Sequence, residues 1–263
     1  MIQSVDRAFK ILECIAAEPE RPHSLSEIAR TLDLHLATCR NLLKTMVELD
    51  YVAQEGRAQG YTLGPQAYLL AAHGPFRKDL VLLAEPLMAE LAGRIGETVI
   101  LVTLHRGRRY TLAQVDGGRG FEVRRDLVTD QDVYRTATGR LLLAHMPADE
   151  LESFVAATGR PDRDWPEART LRGMARALRK IRDDGLATTE VHSDVVGIAC
   201  PVREGQRVVA ALGVFLPTFR FEGAHKEQVL AGLKEAADAL SARRTEQHAG
   251  RLHRSGMQRR HEQ

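Results

Sequence analysis

The sequence predicts a protein of two domains, a small helical N-terminal domain followed by a larger α+β domain with an antiparallel sheet. Apolar residues recur at helical spacing through residues 4–49. From Glu97 onward, short apolar segments are instead separated by turns that contain glycine, which is typical of hairpin-linked strands. The length of 263 residues also suits two domains of ordinary size.

The first domain, residues 1–65, has the element order of a winged helix-turn-helix. Its predicted elements are helices over 4–17, 24–32 and 34–49 and strands over 51–53 and 61–63. Ser24 is a good N-cap, and Glu27 three residues later completes a capping-box pattern. Asp33 and Leu34 make a tight connection between the second and third helices, and residues 54–60 form the loop of the wing.

The helix over 34–49 is the predicted DNA-recognition helix. Its polar face carries no acid until Glu48, and Arg40 and Lys44 follow one turn apart. A helix in the major groove needs short side chains near the bases, donors for base edges and cations for phosphates. Any amphipathic helix has a polar face, so this pattern alone leaves a structural explanation open. The predicted DNA-binding residues are Ser26, His35, Leu36, Ala37, Thr38, Arg40, Asn41, Lys44 and, in the wing, Arg57.

Charge is distributed unevenly along the chain, whose net charge is +2. Residues 1–75 hold seven Lys or Arg and nine Asp or Glu, whereas residues 76–239 hold 24 of each. Residues 240–263 hold six Arg and two Glu. The non-specific affinity of one isolated N-terminal domain for DNA should therefore be weak, and a dimer would double the number of phosphate contacts. We expect residues 245–263 to be a disordered, solvated tail, with non-specific DNA contact as the alternative.

Several classes of protein are excluded by composition. No apolar run is long enough to cross a membrane, and no signal peptide follows Met1. The three cysteines (Cys14, Cys39 and Cys200) are far apart, and the ten histidines show no metal-binding pair on a helix. We therefore expect a cytoplasmic protein without a metal or cofactor. No catalytic triad is apparent, so we expect that it is not an enzyme.

The second domain begins after a linker helix and hinge over residues 66–78 and extends over residues 79–244. A helix over 80–95 contains Pro86, which should kink or restart it, and Gly96 ends it. The predicted strands cover 97–104, 110–115, 121–125, 186–191, 195–203 and 208–215. Further helices are predicted after Thr136 and over 149–157, 171–184 and 222–244.

The segment Thr136-Ala137-Thr138-Gly139 leads into a helix and is a candidate anion site. Free N–H groups and the helix dipole favour a carboxylate there, although an ordinary N-cap is the simpler alternative. Tyr134 could contribute a hydroxyl or be a core residue. Cys200 would need a nearby base for catalysis, and nothing in the sequence places His192 beside it. We interpret the basic residues Arg106, Arg108 and Arg109 as a solvated hairpin tip.

An ordered set of motifs resembles the IclR family of bacterial transcriptional regulators over residues 3–244. The N-terminal domain carries SVDRAFKILECIA, SLSEIARTLDL, NLLKTMVELDYV and YTLG. The second domain carries TATGRLLLA at 136–144, KIRDDGLATTE at 180–190 and GIACPVREGQRVVAALGVFLP at 197–217. The resemblance implies a winged helix head, a linker helix and a GAF-like effector domain. It also implies a homodimer, often paired into a tetramer, on a palindromic or repeated operator, acting as repressor or activator.

The resemblance further implies a small organic effector, frequently a carboxylate or an aromatic catabolite. Gly197, Gly213 and Phe215 stand where glyoxylate- and pyruvate-type sensors carry Cys and Ser, which favours a larger or flatter ligand. Asn41 stands where the family often has Arg, and Arg140 replaces a Lys. Asp132-Val133-Tyr134 replaces the usual Pro-Leu-His. The predicted effector-binding residues are Tyr134, Thr136, Ala137, Thr138, Gly139, Gly197, Cys200, Gly213 and Phe215.

Three functional hypotheses follow. The first is a DNA-binding regulator whose partners are double-stranded operator DNA, a small organic effector and a second copy of itself, with no membrane partner. The second is a constitutive DNA-binding regulator without ligand sensing. The glycines at positions 197 and 213, where other sensors carry polar side chains, are consistent with this alternative. The third is an enzyme or carrier that acts on a small molecule, whose sign would be a clustered triad or metal set.

Overall fold

The computed structural model describes residues 1–54, 60–74, 76–118, 132–163, 165–191 and 194–261. The chain divides into two compact units, of which the first comprises Met1–Phe76 and the second consists mainly of the residues from Arg77 onward. Over the described residues, no helix is long and apolar enough to cross a membrane. The same residues contain no group of three His, Cys, Asp or Glu side chains placed to hold a metal ion.

The first unit is a winged helix-turn-helix, as predicted. Its elements are α1 (Gln3–Ala17), α2 (Leu25–Thr31), α3 (Leu36–Glu48), β1 (Val52–Gln54), β2 (Tyr61–Leu63) and α4 (Pro65–His73). The two strands pair antiparallel, and His23 extends the pairing by two backbone hydrogen bonds to Tyr61, of 2.9 and 2.8 Å. Apolar residues from three helices and β1 form its core: Ile11, Ile15, Ile28, Ala29, Cys39, Leu43, Met46 and Val52.

Local hydrogen bonds fix the turn between α2 and α3. The Glu27 amide donates to Ser24 Oγ at 3.2 Å, and the Ser24 amide donates to the Glu27 carboxylate at 2.8 Å, so the predicted capping box is confirmed. Asp33 has a φ of 50°, in the left-handed region that a short polar side chain tolerates. The Leu34 amide then bonds to the Ala29 carbonyl at 2.8 Å, which directs the chain into α3.

The second unit is an α+β domain built on an antiparallel sheet, as predicted, and the sheet has five strands over the described residues. Its helices are α5 (Lys78–Ile95), α6 (Asp132–Arg135), α7 (Ala137–Ala144), α8 (Ala148–Thr158), α9 (Leu171–Asp184) and α10 (Gly223–His261). Its strands are β3 (Thr98–His105), β4 (Arg108–Val115), β5 (Ala187–Val191), β6 (Val195–Glu204) and β7 (Arg207–Pro217). The strand order is β4-β3-β7-β6-β5.

The two faces of this sheet are covered by different helices. α5 and α10 cover one face, where alternate residues of β6 such as Ile198, Cys200 and Val202 are buried. α7 covers the other face and packs on Ile100, Ala199 and Ala211. α9 packs on α7, and their cluster with α8 buries Trp165, Phe154 and Met174. Because side chains alternate along a strand, the position of a residue in β6 or β7 decides which layer it meets.

Three predicted features differ from the structure or lie outside the described residues. α5 does not restart at Pro86, because the buried stripe Leu80, Ala84, Met88 and Leu91 offsets the lost backbone hydrogen bond. α10 does not end at Arg244 but continues to His261, so residues 245–261 are helical rather than irregular. This segment contains no proline and several good helix formers, which lets the helix extend. The strand predicted over 121–125 lies outside the described residues.

Candidate DNA-binding surface and effector site

One face of α3 is buried in the first unit and the opposite face is exposed. Cys39, Leu43 and Met46 are buried at helical spacing. On the other side the structure brings together predicted DNA-binding residues that are all exposed: His35, Leu36, Ala37, Arg40, Asn41 and Lys44. Thr38 is half-buried between the two faces. Ser26 is exposed on α2, and Arg57 lies outside the described residues.

The exposed face of α3 is suited to an anionic partner. Its N-cap, His35, makes no side-chain hydrogen bond to the first turn, so backbone N–H groups at the helix start remain available to a phosphate. Leu36 is 51% exposed there, as an apolar residue that touches bases would be. Lys44 Nζ lies 3.8 Å from the Glu48 carboxylate, and both side chains are exposed. Such a surface ion pair contributes little to stability, so Lys44 can leave Glu48 and contact a phosphate instead.

In the second unit, the start of α7 lies directly on the sheet. The Gly139 amide donates to Thr136 Oγ1 at 3.1 Å, so Thr136 is the predicted N-cap. A Cβ on Gly139 would lie 2.1 Å from the Val133 carbonyl oxygen, and one on Gly213 would lie 2.6 Å from Thr138 Cγ2. Glycine at these positions is therefore what allows the first turn of α7 to approach both the preceding chain and β7.

The predicted effector residues Gly197 and Phe215 lie beside this turn. They are paired across β6 and β7 and share the sheet face that α7 covers, and both are half-buried. A Cβ on Gly197 would contact Ala137 Cβ at 3.6 Å. Thr136, Ala137, Thr138, Gly139, Gly197, Gly213 and Phe215 therefore form one group, which we call the α7 site.

The sheet register adds polar residues that sequence reasoning missed. Thr98 is opposite Phe215, and Gln114 is opposite Ile100, so both belong to the face that carries the α7 site. Asp116 accepts hydrogen bonds from Gln114 at 2.8 Å and from Thr98 at 3.4 Å. A register shift between Leu101 and Val102 interrupts the alternation of β4, so the sequence pattern over 110–115 carried no signal that could have placed Gln114 on this face.

Arg109 is the second residue that was missed, and its assignment to a solvated hairpin tip is wrong. Arg106 and Arg108 are exposed as expected, but Arg109 is only 8% exposed. Its Nε donates to Thr138 Oγ1 at 3.1 Å, in the first turn of α7. The guanidinium and the start of the helix dipole therefore place positive charge in the same region of the domain.

Two predicted effector-binding residues lie elsewhere. The Tyr134 hydroxyl donates to the Gly159 carbonyl at 2.7 Å, and its ring packs on Phe154 and Trp165 with centroid distances of 5.5 and 6.5 Å. Burial raises the pKa of this phenol, and Tyr134 is a core residue of the α7–α8–α9 cluster.

Cys200 lies on the opposite sheet face from the α7 site. It is three residues from Gly197, an odd separation that turns it toward α5 and α10. Burial raises the pKa of its thiol to about 11, so it stays protonated and unreactive at neutral pH. His192 lies outside the described residues.

Comparison with known proteins places both units in one family. The family model described as "IclR helix-turn-helix domain" matches residues 4–56, and "Bacterial transcriptional regulator IclR C-terminal" matches residues 76–242. The chain is 27% identical over 244 residues to the HTH-type transcriptional regulator KdgR of Escherichia coli, covering 92% of each protein.

Solved structures share the fold over nearly the whole chain. An IclR-type regulator from Alicyclobacillus acidocaldarius matches with a TM-score of 0.73 and 24% identity, covering 93% of this chain and 99% of that one. An IclR homologue from Microbacterium hydrocarbonoxydans, solved with 4-hydroxybenzoate, matches with a TM-score of 0.74 and 22% identity, covering 92% and 98%. The relatives are transcriptional regulators rather than enzymes. The chain thus belongs to the IclR family of DNA-binding bacterial transcriptional regulators.

Proposed function

We propose that operator binding by this regulator is altered by a small organic carboxylate, most favourably an aromatic one, held at the α7 site. The observation that carries this proposal is the hydrogen bond of 3.1 Å from buried Arg109 to Thr138 in the first turn of α7. A guanidinium beside a helix N-terminus is a strong attractor for a carboxylate. It supplies the cation that the sequence alone did not place there.

The rest of the α7 site suits the remainder of such a ligand. Phe215 presents a half-buried ring next to Gly197, which could stack on the flat face of an aromatic ligand. Gln114 and Thr98 offer hydrogen-bonding groups on the same sheet face. The homologue of the same fold that was solved with 4-hydroxybenzoate, an aromatic carboxylate, supports this choice of ligand class.

The DNA partner is an operator contacted by the exposed face of α3. Arg40 and Lys44 would contact phosphates, and Asn41, Thr38 and His35 would meet base edges. The first unit has nine acidic and only seven basic residues up to position 75. We therefore propose a homodimer, in which two heads on a repeated or palindromic operator double the phosphate contacts. A protein that acts on the bacterial chromosome works in the cytoplasm.

The effector acts by favouring one arrangement of the two heads of the dimer. Because coupling is reciprocal, operator DNA must change effector affinity by the same factor as the effector changes DNA affinity. Typical couplings are about 1–3 kcal/mol, which correspond to roughly 5- to 150-fold changes in affinity.

The test uses neighbouring arginines of β4 as a matched pair of variants. Arg109→Gln removes the buried cation, whereas Arg108→Gln removes an exposed one from the adjacent position. We expect Arg109→Gln to weaken binding of benzoate-type carboxylates roughly 10- to 100-fold, as expected for a lost charged hydrogen bond of about 1.5–3 kcal/mol. Arg108→Gln should bind them as the wild type does.

Dissociation constants from calorimetry decide the question, since they separate ligand affinity from any change in stability. Equal affinities in the two variants would contradict a carboxylate site at α7. If no carboxylate binds the wild-type protein while duplex DNA does, the constitutive regulator is the better description.

A further inference from the structure

Arginines of the second unit meet at the end of the sheet where β6 turns into β7. Arg207 begins β7 and is paired in the sheet with Glu204, the last residue of β6. Arg244 of α10 lies beside the same acid, with its Nη2 3.5 Å from Glu204 Oε1. Two guanidinium groups from different elements therefore flank one carboxylate.

Arg77 joins this group from the start of α5. It is the N-cap of that helix and the first residue of the second unit. Burial lowers the pKa of its guanidinium, and the positive charges of Arg244 and then Arg207 lower it further, while Glu204 opposes them. Arg77 therefore lies close enough to both other arginines to interact with their charges. We call Arg77, Arg207 and Arg244 the arginine cluster.

Two hydrogen bonds hold the β6–β7 turn against α10. The Arg203 amide donates to Ser241 Oγ at 2.9 Å, and the Gly205 amide donates to Thr245 Oγ1 at 3.4 Å. Arg244 lies between these two anchor points on the helix. The backbone positions of the turn and of α10 are therefore set by the fold, and the cluster is more than a chance meeting of surface side chains.

The guanidinium of Arg244 has a donor without an acceptor. The Arg244 side chain is only 15% exposed, and its Nη1 donates to Gln247 Oε1 at 3.1 Å. Its Nε is buried and makes no hydrogen bond to any described residue. A buried charged donor without a partner is destabilising. A water molecule could accept from Nε, but only an anion would also reduce the repulsion among the three arginines.

We propose that the arginine cluster binds a small free dianion of the phosphate type. Three guanidinium groups beside one carboxylate leave two positive charges in excess, which a dianion neutralises. The planar fork of each guanidinium donates to two oxygens, and a phosphate group offers acceptors on several sides. α10 and α7 cover opposite faces of the sheet, so this site is separate from the α7 site. The inference goes beyond the proposed function and does not depend on it.

Two other anions fit less well. The phosphates of duplex DNA contact side chains that project from a protein surface, whereas the Arg244 side chain is largely buried. A carboxylate, from a metabolite or from a second copy of the chain, carries one charge and would leave the cluster with a positive excess. A free phosphate group is small enough to reach Arg244 and carries enough charge to balance the cluster.

The test titrates the full-length protein with inorganic phosphate and with glycerol phosphate by calorimetry, at an ionic strength kept constant with chloride. Arg244→Gln removes a cation of the cluster, whereas Arg243→Gln removes an exposed one from the adjacent position of the same helix. Arg77→Gln is a second cluster variant, which decides the question if Arg244→Gln does not fold. Circular dichroism and melting temperature verify the folding of each variant.

We expect Arg244→Gln and Arg77→Gln each to weaken phosphate binding roughly 10- to 100-fold, as for the loss of one charged hydrogen bond. Arg243→Gln should bind phosphate as the wild type does. Glu204→Gln should bind it about tenfold more tightly, because it removes a charge that repels the anion and keeps an acceptor for Arg244. A cluster with a purely structural role would not bind phosphate more tightly in any variant.

Absence of binding of both phosphate compounds to the wild type would overturn the proposal, as would equal affinities in Arg244→Gln and Arg243→Gln. Unchanged or weaker binding in Glu204→Gln would also contradict it. Loss of duplex DNA affinity in Arg244→Gln, without any phosphate binding to the wild type, would assign the cluster to DNA instead. Failure of the proposed function would look different, since benzoate binding would then be absent or insensitive to Arg109→Gln, whatever the result with phosphate.

Discussion

Replacing Gly213 by alanine should separate α7 from the sheet. The new Cβ would lie 2.6 Å from Thr138 Cγ2 and 3.3 Å from both Ile100 Cγ1 and the Ile198 carbonyl oxygen. The first of these distances is far inside van der Waals contact, so the first turn of α7 must move. Because this turn holds Thr138 against Arg109, the α7 site should be distorted together with the packing.

The expected loss of stability in the Gly213→Ala variant follows from the close packing around Gly213. Overpacking a well-filled core by one methyl group costs about 1–3 kcal/mol. Gly93→Ala in α5 is the matched control, because its Cβ would meet nothing within 4 Å. There, alanine should stabilise the helix by up to about 1 kcal/mol. Gly213→Ala should therefore lower the free energy of unfolding, whereas Gly93→Ala should raise it.

Urea denaturation followed by circular dichroism measures both effects, and a double-mutant cycle identifies the cause. Thr138→Ser removes Cγ2 but keeps the hydroxyl that accepts from Arg109. If the methyl clash is the cause, Gly213→Ala combined with Thr138→Ser should be at least about 1 kcal/mol more stable than the sum of the single effects predicts. Additive free energies, or a Gly213→Ala protein as stable as the wild type, would refute the packing argument.

Three further predictions concern DNA, pH and ligand choice. Arg40→Ala should weaken binding to the duplex upstream of the protein's own coding region while leaving carboxylate-induced thermal stabilisation intact. Loss of both would indicate misfolding. Burial, followed by the charges of Arg203 and Arg182, lowers the pKa of His145 to about 4. Between pH 6.5 and 4 the unfolded chain then takes up a proton that the native state does not. The free energy of unfolding should therefore decrease by up to about 3 kcal/mol as the pH is lowered from 6.5 to 4. In the His145→Gln variant, this contribution to the decrease should be absent. Phe215→Ser should change the ranking of carboxylates in a thermal-shift screen, whereas Phe219→Ser, at a position 73% exposed, should not; identical rankings would place Phe215 in the core only.

Local signals in the sequence predicted many helix ends and turns. The capping box at Ser24 is formed as expected, and Gly96 and Gly185 end their helices with φ values of 70° and 68°. The N-cap at Thr136 is also present. These features depend on a few neighbouring residues, so a single sequence contains the information needed to predict them.

The errors in the candidate site came from tertiary context. The turn before β4 is tighter than expected, because Arg106 and Gly107 have φ values of 51° and 75°. The strand therefore starts at Arg108, and Arg109 lies inside the sheet instead of at its tip. Cys200 was predicted to bind the effector together with Gly197, although side-chain alternation along β6 places the two on opposite faces of the sheet.

The length of α10 could not be predicted from the composition of its last residues. The residues after Arg244 are polar and charged, a composition that favours disorder when it is considered alone. The same residues continue a helix that the domain already anchors through Leu233, Ala237 and Leu240. Extension of an existing helix avoids the cost of nucleation, which composition cannot reveal.

The most direct test of effector-controlled DNA binding is the linkage between the carboxylate and the duplex. The affinity of the full-length protein for its upstream duplex would be measured with and without the carboxylate that raises its melting temperature most. We expect the carboxylate to change DNA affinity roughly 5- to 150-fold, and the duplex to change carboxylate affinity by the same factor. A carboxylate that binds tightly, yet leaves DNA affinity unchanged and is itself unaffected by DNA, would contradict this expectation.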